Sequence, residues 1–255
     1  MSDAVPIQRV ADADACAAAV AALVADAVRA GARHLVLAGG TTPLAAYTLL
    51  DAMDMNWDGV HLWYGDERCV PVDDPDSNHG AIAARLRAPS ATWHPIDGTL
   101  GPAAGAAMYA RELVAAGRFP VTADRAAATT APGVPHLSHR IGASGAEPPA
   151  FDLVLNGMGP DGHTASLFPD HPALESSGTT AGVSDAPKPP PQRVTLTLNA
   201  LNAGRQLVLL ATGAGKAPAL ARVLQDAPDP GTPSSLLARD RLLVLADHAA
   251  LGGSR

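Results

Sequence analysis

The chain has 255 residues, of which 47% are hydrophobic and 17% are charged, and its net charge at pH 7 is −7. This composition predicts a globular protein with a sizeable core, built as one large α/β domain or two small ones. The acidic balance argues against nucleic acid as the main partner, and no apolar run approaches the roughly 20 residues of a membrane helix.

The sequence also lacks cysteine motifs and a signal-peptide pattern, which excludes further classes of protein. The two cysteines, Cys16 and Cys69, form no CxxC pair, so we predict neither a zinc site nor a redox motif. The first residues lack a basic segment followed by an apolar one, which is the pattern of a secretory signal peptide. We therefore expect a cytoplasmic protein without a disulfide.

In the first half of the chain, apolar strands that end in glycine turns alternate with helices. Residues 12–30 predict an amphipathic helix that ends at Gly31, because valine and leucine recur among its alanines at helical spacing. Residues 33–38 predict a strand, and the turn at Gly39-Gly40 leads into a helix with Pro43 in its first turn. The elements expected next are a strand, a loop, a helix capped by Ser77 or Asn78, an extended segment and a helix, at 60–64, 70–78, 79–87, 92–97 and 102–117.

The second half begins with an irregular stretch and then returns to the same alternation. Residues 118–149 contain prolines among small residues, so we expect a long surface loop or insertion within a single domain, 1–255. The apolar strand 151–155 runs into a glycine-rich turn at 157–163, and a helix is expected to start at Thr164–Leu167. Further strands are expected at 193–198, 205–211 and 241–247, with helices from 215 and 248. The alternation predicts a doubly wound, mostly parallel α/β sheet with helices on both faces.

Several of the predicted strands end in residues that suit a phosphate group. The carboxyl ends of parallel strands lie along one edge of a sheet, so their loops can converge on one pocket. One helix start offers backbone N–H groups and hydroxyls, which make a ready anion site, from Gly39, Gly40, Thr41 and Thr42. Positive charge comes from Arg68, Arg193 and Lys216.

Each of these features also has a plain structural interpretation. Arg68 could pair with the neighbouring Asp66 or Glu67, and Arg193 could be a solvated residue at a sheet edge. The glycine turn before Lys216 is not a nucleotide-binding P-loop, because it lacks the GxxxxGK[ST] spacing and Ala217 follows the lysine. A nucleotide triphosphatase is therefore disfavoured.

The turn at 157–163 carries the candidate acid–base chemistry. His163 can take up a proton near neutral pH, and Asp161, two residues earlier, can orient it. The alternative is a glycine-rich turn with a capping carboxylate and a surface histidine. The other histidines lack ligand spacing such as HxxxH, and we interpret them as structural or surface groups, so no metal site is predicted.

Five stretches together resemble the 6-phosphogluconolactonase family, in that family's order and over about residues 10–251. They are GGTTP at 39–43, GDERCVP…SN at 65–78, LNGMGPDGHTASLFP at 155–169, RVTLTLNAL at 193–201 and GAGKA at 213–217. The resemblance implies a Rossmann-like fold shared with glucosamine-6-phosphate deaminases and ribose-5-phosphate isomerases. It also implies hydrolysis of 6-phosphoglucono-δ-lactone to 6-phosphogluconate in the pentose phosphate pathway, without a cofactor. Separately, we expect a monomer or weak homodimer.

The resemblance also assigns roles to residues. His163 matches the family's proposed general base, which activates water for attack on the lactone carbonyl. Asp161 matches the neighbouring carboxylate of that motif, and we assign it an orienting role. The substrate-binding residues that match are Gly39, Gly40, Thr41, Thr42, Asp66, Arg68, Asn78, Gly159, Arg193 and Lys216. This chain departs from the family pattern with Thr41 in place of serine and with Asn156 in place of an apolar residue. A buried Asn156 amide would need hydrogen-bond partners.

Two other functions compete with lactone hydrolysis. A glucosamine-6-phosphate deaminase or related isomerase would carry an Asn-Glu-Pro after the glycine turn, and this chain has Ser166 to Asp170 there, without a glutamate. Such an enzyme would also follow the Asp66-Glu67 pair with an aromatic residue, and here Arg68 follows. A non-catalytic sugar-phosphate sensor would usually carry a helix-turn-helix module and a basic face, and this sequence has neither.

Overall fold

The computed structural model describes residues 5–118, 150–225 and 227–253. The strands are β1 Ile7–Val10, β2 His34–Leu37, β3 His61–Tyr64, β4 Asp66–Arg68, β5 Thr92–Trp93, β6 Phe151–Gly157, β7 Thr180–Val183, β8 Arg193–Leu196, β9 Gly204–Ala211 and β10 Leu242–Asp247. The helices are α1 Ala13–Arg29, α2 Thr41–Asp51, α3 Asn78–Ala83, α4 Gly101–Ala115, α5 Leu198–Leu201 and α6 Ala217–Val223. None of the described helices is both long and apolar enough to span a bilayer.

The main sheet has seven strands in the order β1-β10-β9-β6-β2-β3-β5, and all of its pairings are parallel. Its central strands are apolar runs buried on both faces, as a parallel sheet covered by helices requires. The predicted mostly parallel α/β architecture is confirmed. Asn156, in the middle of this core, is buried, and its Nδ2 donates to the carbonyl of Val154 at 3.2 Å.

A second sheet of three antiparallel strands, β4-β8-β7, was not predicted from the sequence. The strand expected at 193–198 exists as β8, but it lies in this small sheet and all four of its residues are buried. Residues 66–68 of β4 were interpreted as part of a charged cluster at the end of β3, and no element was predicted at β7, because neither strand has an apolar run. β1 was also missed, since a four-residue edge strand gives little periodicity.

Two predicted helices are absent from the described part of the chain. At Thr164–Leu167 the chain makes a tight turn, in which Leu167 N donates to Thr164 O at 2.9 Å and Ala165 has a φ of 48°. The Thr164 hydroxyl donates to the carbonyl of Gly157, which ties this turn back to β6. Residues 248–252 form turns next to the buried Asp247, whose carboxylate accepts from Ala250 N.

The other predicted helices are confirmed with shifted ends. The helix expected at 79–87 is α3, which ends at Ala83, and its cap is Ser77, whose hydroxyl accepts from Gly80 N. The predicted insertion at 118–149 falls outside the described residues except for Arg118. The single-domain organisation stays a prediction.

Candidate functional site

A cavity of about 350 Å³ lies at the carboxyl ends of β2, β6 and β9, and residues of the small sheet also line it. Every residue predicted for the site lines this cavity except Asp161, which contacts His163. The lining residues among those predicted are Gly39, Gly40, Thr41, Thr42, Asp66, Arg68, Asn78, Gly159, His163, Arg193 and Lys216. The fold therefore brings together residues that are up to 177 positions apart, from Gly39 to Lys216 (216 − 39).

Two arginines reach the cavity from the small sheet. The antiparallel pairing of β4 with β8 places Arg68 directly opposite Arg193. Like charges opposite each other on paired strands are unfavourable. Burial lowers the pKa of Arg193, and the charge of Arg68 lowers it further against the opposing charge of Asp66. Such a pair can be stabilised by an anion in the cavity.

The structure supports neither the ion pair considered for Arg68 nor the solvated edge position considered for Arg193. Within the described residues Arg68 makes no ion pair with Asp66 or Glu67, and its Nη1 donates to the carbonyl of Asp76 at 2.5 Å. Arg193 is 5% exposed, so it is not a solvated edge residue. Its Nε and Nη2 donate to the carbonyls of residues 188–190 at 2.9–3.2 Å, and its guanidinium lies 5.5 Å over the ring of Phe168.

The N-terminus of α2 opens at the cavity with no side-chain cap. Gly40 precedes the helix with a φ of 102°, a conformation that favours glycine. The hydroxyl of Thr42 is hydrogen-bonded to that of Thr212 at 2.8 Å, whereas Thr41 is exposed. Lys216 lines the same cavity and its ammonium donates to the carbonyl of Met158. Uncapped N–H groups and an ammonium suit a phosphate.

A buried polar network fixes the part of the cavity wall around Asp66. Asp66 accepts a hydrogen bond from the Ser166 hydroxyl at 2.6 Å and another from Asn78 Nδ2 at 3.2 Å. The Asn78 amide packs against Gly39, where a β-carbon would lie 2.1 Å from Asn78 Oδ1. Gly39 is thus required for close packing, and the carboxylate of Asp66 is oriented from two sides.

The turn after β6 folds back on itself and presents His163. Asp161 Oδ1 lies 2.6 Å from His163 Nδ1, and Gly159 N donates to the carbonyl of His163 at 2.9 Å. A β-carbon on Gly159 would lie 2.0 Å from that same Nδ1, so only glycine leaves room for the pair. With Nδ1–H donated to Asp161, the Nε2 of His163 is the nitrogen that can accept a proton.

Lys188 joins this pair and was missed in the sequence. Its Nζ lies 2.9 Å from Asp161 Oδ2 and 3.2 Å from His163 Nδ1. It sits in a Pro-rich segment 25 residues after His163 (188 − 163), so no local spacing links the two. The feature of the sequence that could have drawn attention to Lys188 is that the chain contains only two lysines.

The charges around the turn set the protonation states of its members. Burial would raise the pKa of Asp161, but hydrogen bonding to Lys188 and the charge of His163 lower it to about 2. Burial lowers the pKa of His163, and Lys188 adds to that effect against the opposing charges of Asp161 and Asp66. The pair therefore combines an ionised carboxylate with a neutral imidazole at neutral pH.

Comparison with known proteins shows the family of this chain. The chain matches the sequence model of the glucosamine-6-phosphate isomerases/6-phosphogluconolactonase family over residues 8–245. The chain belongs to this family. A 6-phosphogluconolactonase of Mycobacterium tuberculosis is 38% identical over 242 residues, which cover 91% of this chain and 89% of that protein.

Solved structures of the glucosamine-6-phosphate isomerase/6-phosphogluconolactonase family agree with this fold. A 6-phosphogluconolactonase from Thermotoga maritima superposes with a TM-score of 0.73 at 27% identity, covering 95% of this chain and 98% of its own. One from Trypanosoma brucei gives a TM-score of 0.74 at 27% identity and covers 97% of both chains.

In this member of the glucosamine-6-phosphate isomerase/6-phosphogluconolactonase family, two kinds of group meet in the cavity. Uncapped backbone N–H groups and Lys216 can bind an anion, and a neutral imidazole is held by a carboxylate. Among the residues described, no group of three or more His, Cys, Asp or Glu side chains is placed to hold a metal ion. The arrangement can bind a phosphorylated molecule and remove a proton from a water beside it.

Proposed function

We propose that the protein hydrolyses 6-phospho-D-glucono-1,5-lactone to 6-phospho-D-gluconate, the reaction of the oxidative pentose phosphate pathway, without a cofactor. The observation that carries the proposal is the 2.6 Å contact of Asp161 with His163 in a cavity that also holds an uncapped helix N-terminus and Lys216. Relatives that carry the name 6-phosphogluconolactonase over most of the chain support it.

His163 acts as the general base in this proposal. Its Nε2 takes a proton from water as the water oxygen attacks the lactone carbonyl carbon. The tetrahedral intermediate then collapses, the bond from that carbon to the ring oxygen breaks, and the imidazolium returns the proton to the ring oxygen as it leaves. Asp161 stays ionised throughout and holds the imidazole in the tautomer with Nδ1 protonated.

The phosphate is bound by the anion-binding residues of the cavity. The backbone N–H groups of Gly40, Thr41 and Thr42 lie at the N-terminus of α2, which opens at the cavity, and Arg68, Arg193 and Lys216 supply positive charge. Binding energy from a group that does not react can position the lactone ring beside His163. Asp66, Asn78, Gly39 and Gly159 form part of the cavity wall.

The geometry of Glu67 disfavours the isomerase alternative. A proton-abstracting carboxylate needs an oxygen that faces the substrate. Glu67 is 2% exposed, its Oε1 accepts from the backbone N–H groups of Arg68 and Asn78, and its Oε2 accepts from Ser77 and His79. Its carboxylate is therefore used to hold the start of α3.

The test is the rate of lactone hydrolysis by wild-type protein and by His163→Ala. Freshly generated 6-phosphoglucono-δ-lactone is offered, 6-phosphogluconate is detected with a coupled dehydrogenase, and the spontaneous rate is subtracted. We expect His163→Ala to lower kcat by about 10²–10⁴-fold, which is the usual contribution of a general base. Binding of 6-phosphogluconate should be largely kept, because the anion-binding residues are unchanged.

Control substrates separate the alternatives. Unphosphorylated gluconolactone should be hydrolysed weakly by the wild type, since it lacks the phosphate that the cavity binds. Near wild-type turnover by His163→Ala would show that His163 is not the base. Ammonia release from glucosamine 6-phosphate without lactone hydrolysis would indicate a deaminase, and binding without any turnover would indicate a sensor. The cytoplasmic location and the monomeric or weakly dimeric state stay predictions from the sequence.

A further inference from the structure

Both lysines of the chain lie at the candidate site, and they do different things there. Lys216 lines the cavity, whereas Lys188 contacts the Asp161–His163 pair. We infer that Lys188 is a positioning residue, whose ammonium clamps Asp161 and so holds His163 in the orientation and tautomer of a general base. The inference rests on the proposed hydrolysis and adds to it a residue that the sequence motifs did not include.

The carboxylate of Asp161 is divided between two partners. Its Oδ2 lies 2.9 Å from Lys188 Nζ, and its Oδ1 lies 2.6 Å from His163 Nδ1. A carboxylate with one partner can rotate and exchange its oxygens, whereas one bonded through both oxygens has a fixed plane. The imidazole ring is also packed against Phe168, with 4.8 Å between the ring centroids. The carboxylate and the aromatic ring together fix where His163 Nε2 points.

Lys188 also bears on the charge of the imidazole. Its ammonium lies 3.2 Å from the same Nδ1 that contacts Asp161, and an ammonium can only donate. Of the two contacts of Nδ1, the one with Asp161 is shorter, so Nδ1 carries a proton and donates it to Asp161. Lys188 therefore acts on the ring as a nearby positive charge. The charges of Asp161 and Asp66 favour protonation of His163, and Lys188 opposes it. The ring thereby stays neutral to lower pH.

The backbone around Lys188 is held from inside the fold. The Arg193 guanidinium donates to the carbonyls of Lys188, Pro189 and Pro190 at 3.2, 3.1 and 2.9 Å. Three prolines after the lysine, at 189–191, restrict the backbone further. A surface lysine normally loses side-chain entropy when it forms an ion pair. Because the main chain at Lys188 is already fixed, less freedom is left to lose.

The experiment compares Lys188→Met and Lys188→Arg with the wild type. Lys188→Met keeps the apolar stem but removes the charge, and we expect kcat to fall by about 10- to 100-fold with little change in KM. The acidic limb of the kcat profile should move to higher pH, because loss of the positive charge lets His163 protonate more easily. NMR titration of the His163 ring nitrogens should show the same upward change in pKa. Lys188→Arg should restore most of the activity and the profile.

One control variant and one measurement that is independent of turnover make the result decisive. Arg87→Met removes an ion pair of the same 2.9 Å length, to Asp51, elsewhere on the surface, and should change neither kcat nor the pH profile. A His163 pKa that is unchanged in folded Lys188→Met, or an unshifted acidic limb, would overturn the inference. The NMR titration needs no turnover. If the wild type has no lactonase activity, the proposed function fails, while the titration still reports whether Lys188 acts on His163.

Discussion

At the scale of single residues, the site depends on the absence of a side chain at Gly159. A β-carbon there would lie 2.0 Å from His163 Nδ1 and 2.3 Å from Asp161 Oδ1, so Gly159→Ala must displace the pair. We expect kcat for lactone hydrolysis to fall by about 10²-fold, since a misplacement of about 1 Å has that effect. KM should change less, because the anion-binding residues are not displaced.

Gly178→Ala is the matched control for this substitution. The nearest atom to its β-carbon would be the Thr180 carbonyl oxygen at 3.6 Å, an ordinary contact, and Gly178 does not line the cavity. Its kcat should equal that of the wild type. If Gly159→Ala keeps wild-type kcat, the close approach at the glycine does not matter for the reaction.

The same scale shows what the sequence could and could not reveal about the site. Asp161 and His163 are two residues apart in a glycine-rich turn, so their contact followed from local spacing. Lys188 reaches them through tertiary structure alone, and nothing in its Pro-rich segment indicates an inward-facing side chain. The role of Arg193 in holding residues 188–190 was hidden for the same reason, since it depends on carbonyl positions.

At the scale of secondary-structure elements, three histidines form a row across β2, β3 and the residue after β5. The β2–β3 register sets His34 opposite His61, with 4.5 Å between the ring centroids. His61 Nδ1 lies 2.9 Å from His94 Nε2, and His94 Nδ1 lies 2.6 Å from Glu112 Oε1. The sequence interpretation as structural or surface groups fits their packing. Their alignment could not be seen, because it depends on the register between strands.

This row predicts an acid-sensitive contribution to stability. Burial lowers the pKa of His34 to about 4, with help from the charges of Arg118, His61 and His94 and against that of Asp152. Trp63 Nε1 also donates to His34 Nδ1, which requires that nitrogen unprotonated. A lowered pKa in the folded state means that His34 stabilises the fold above its ordinary pKa and loses this contribution as the pH falls from about 6.5 to about 4.

The prediction is tested with His34→Gln, which keeps an acceptor but does not titrate. Because the ring is half-buried and partly screened by solvent, we expect wild type to lose about 1–2 kcal/mol more unfolding free energy than the variant between about pH 7 and about pH 4. Urea unfolding monitored by tryptophan fluorescence measures the difference. His248→Gln, at an exposed histidine, should follow the wild type. Parallel losses in all three proteins would contradict the prediction.

The elements themselves divide into those with and without a local pattern. The parallel strands were predictable because β6, β9 and β10 are apolar runs, and glycine turns follow β6 and β9. The small sheet was not, since β4 is the charged triplet Asp66–Arg68 and β7 carries a glycine. Both strands exist because β8 pairs with them across its two edges. Their stability comes from a partner distant in sequence.

At the scale of the whole molecule, the cavity is bounded by residues from both sheets, so a bound ligand should stabilise the fold. For a ligand that binds only the folded state, a concentration of 100 times Kd adds about 2.7 kcal/mol of unfolding free energy. In a chain of this size we expect 6-phosphogluconate to raise Tm by about 5–10 °C at that concentration. Lys216→Ala, tested at the same concentration, should show a much smaller rise, because it lacks the ammonium that we place at the phosphate. Gluconate, which lacks the phosphate, should shift neither protein appreciably. Equal Tm increases for wild type and Lys216→Ala would place the phosphate elsewhere in the cavity.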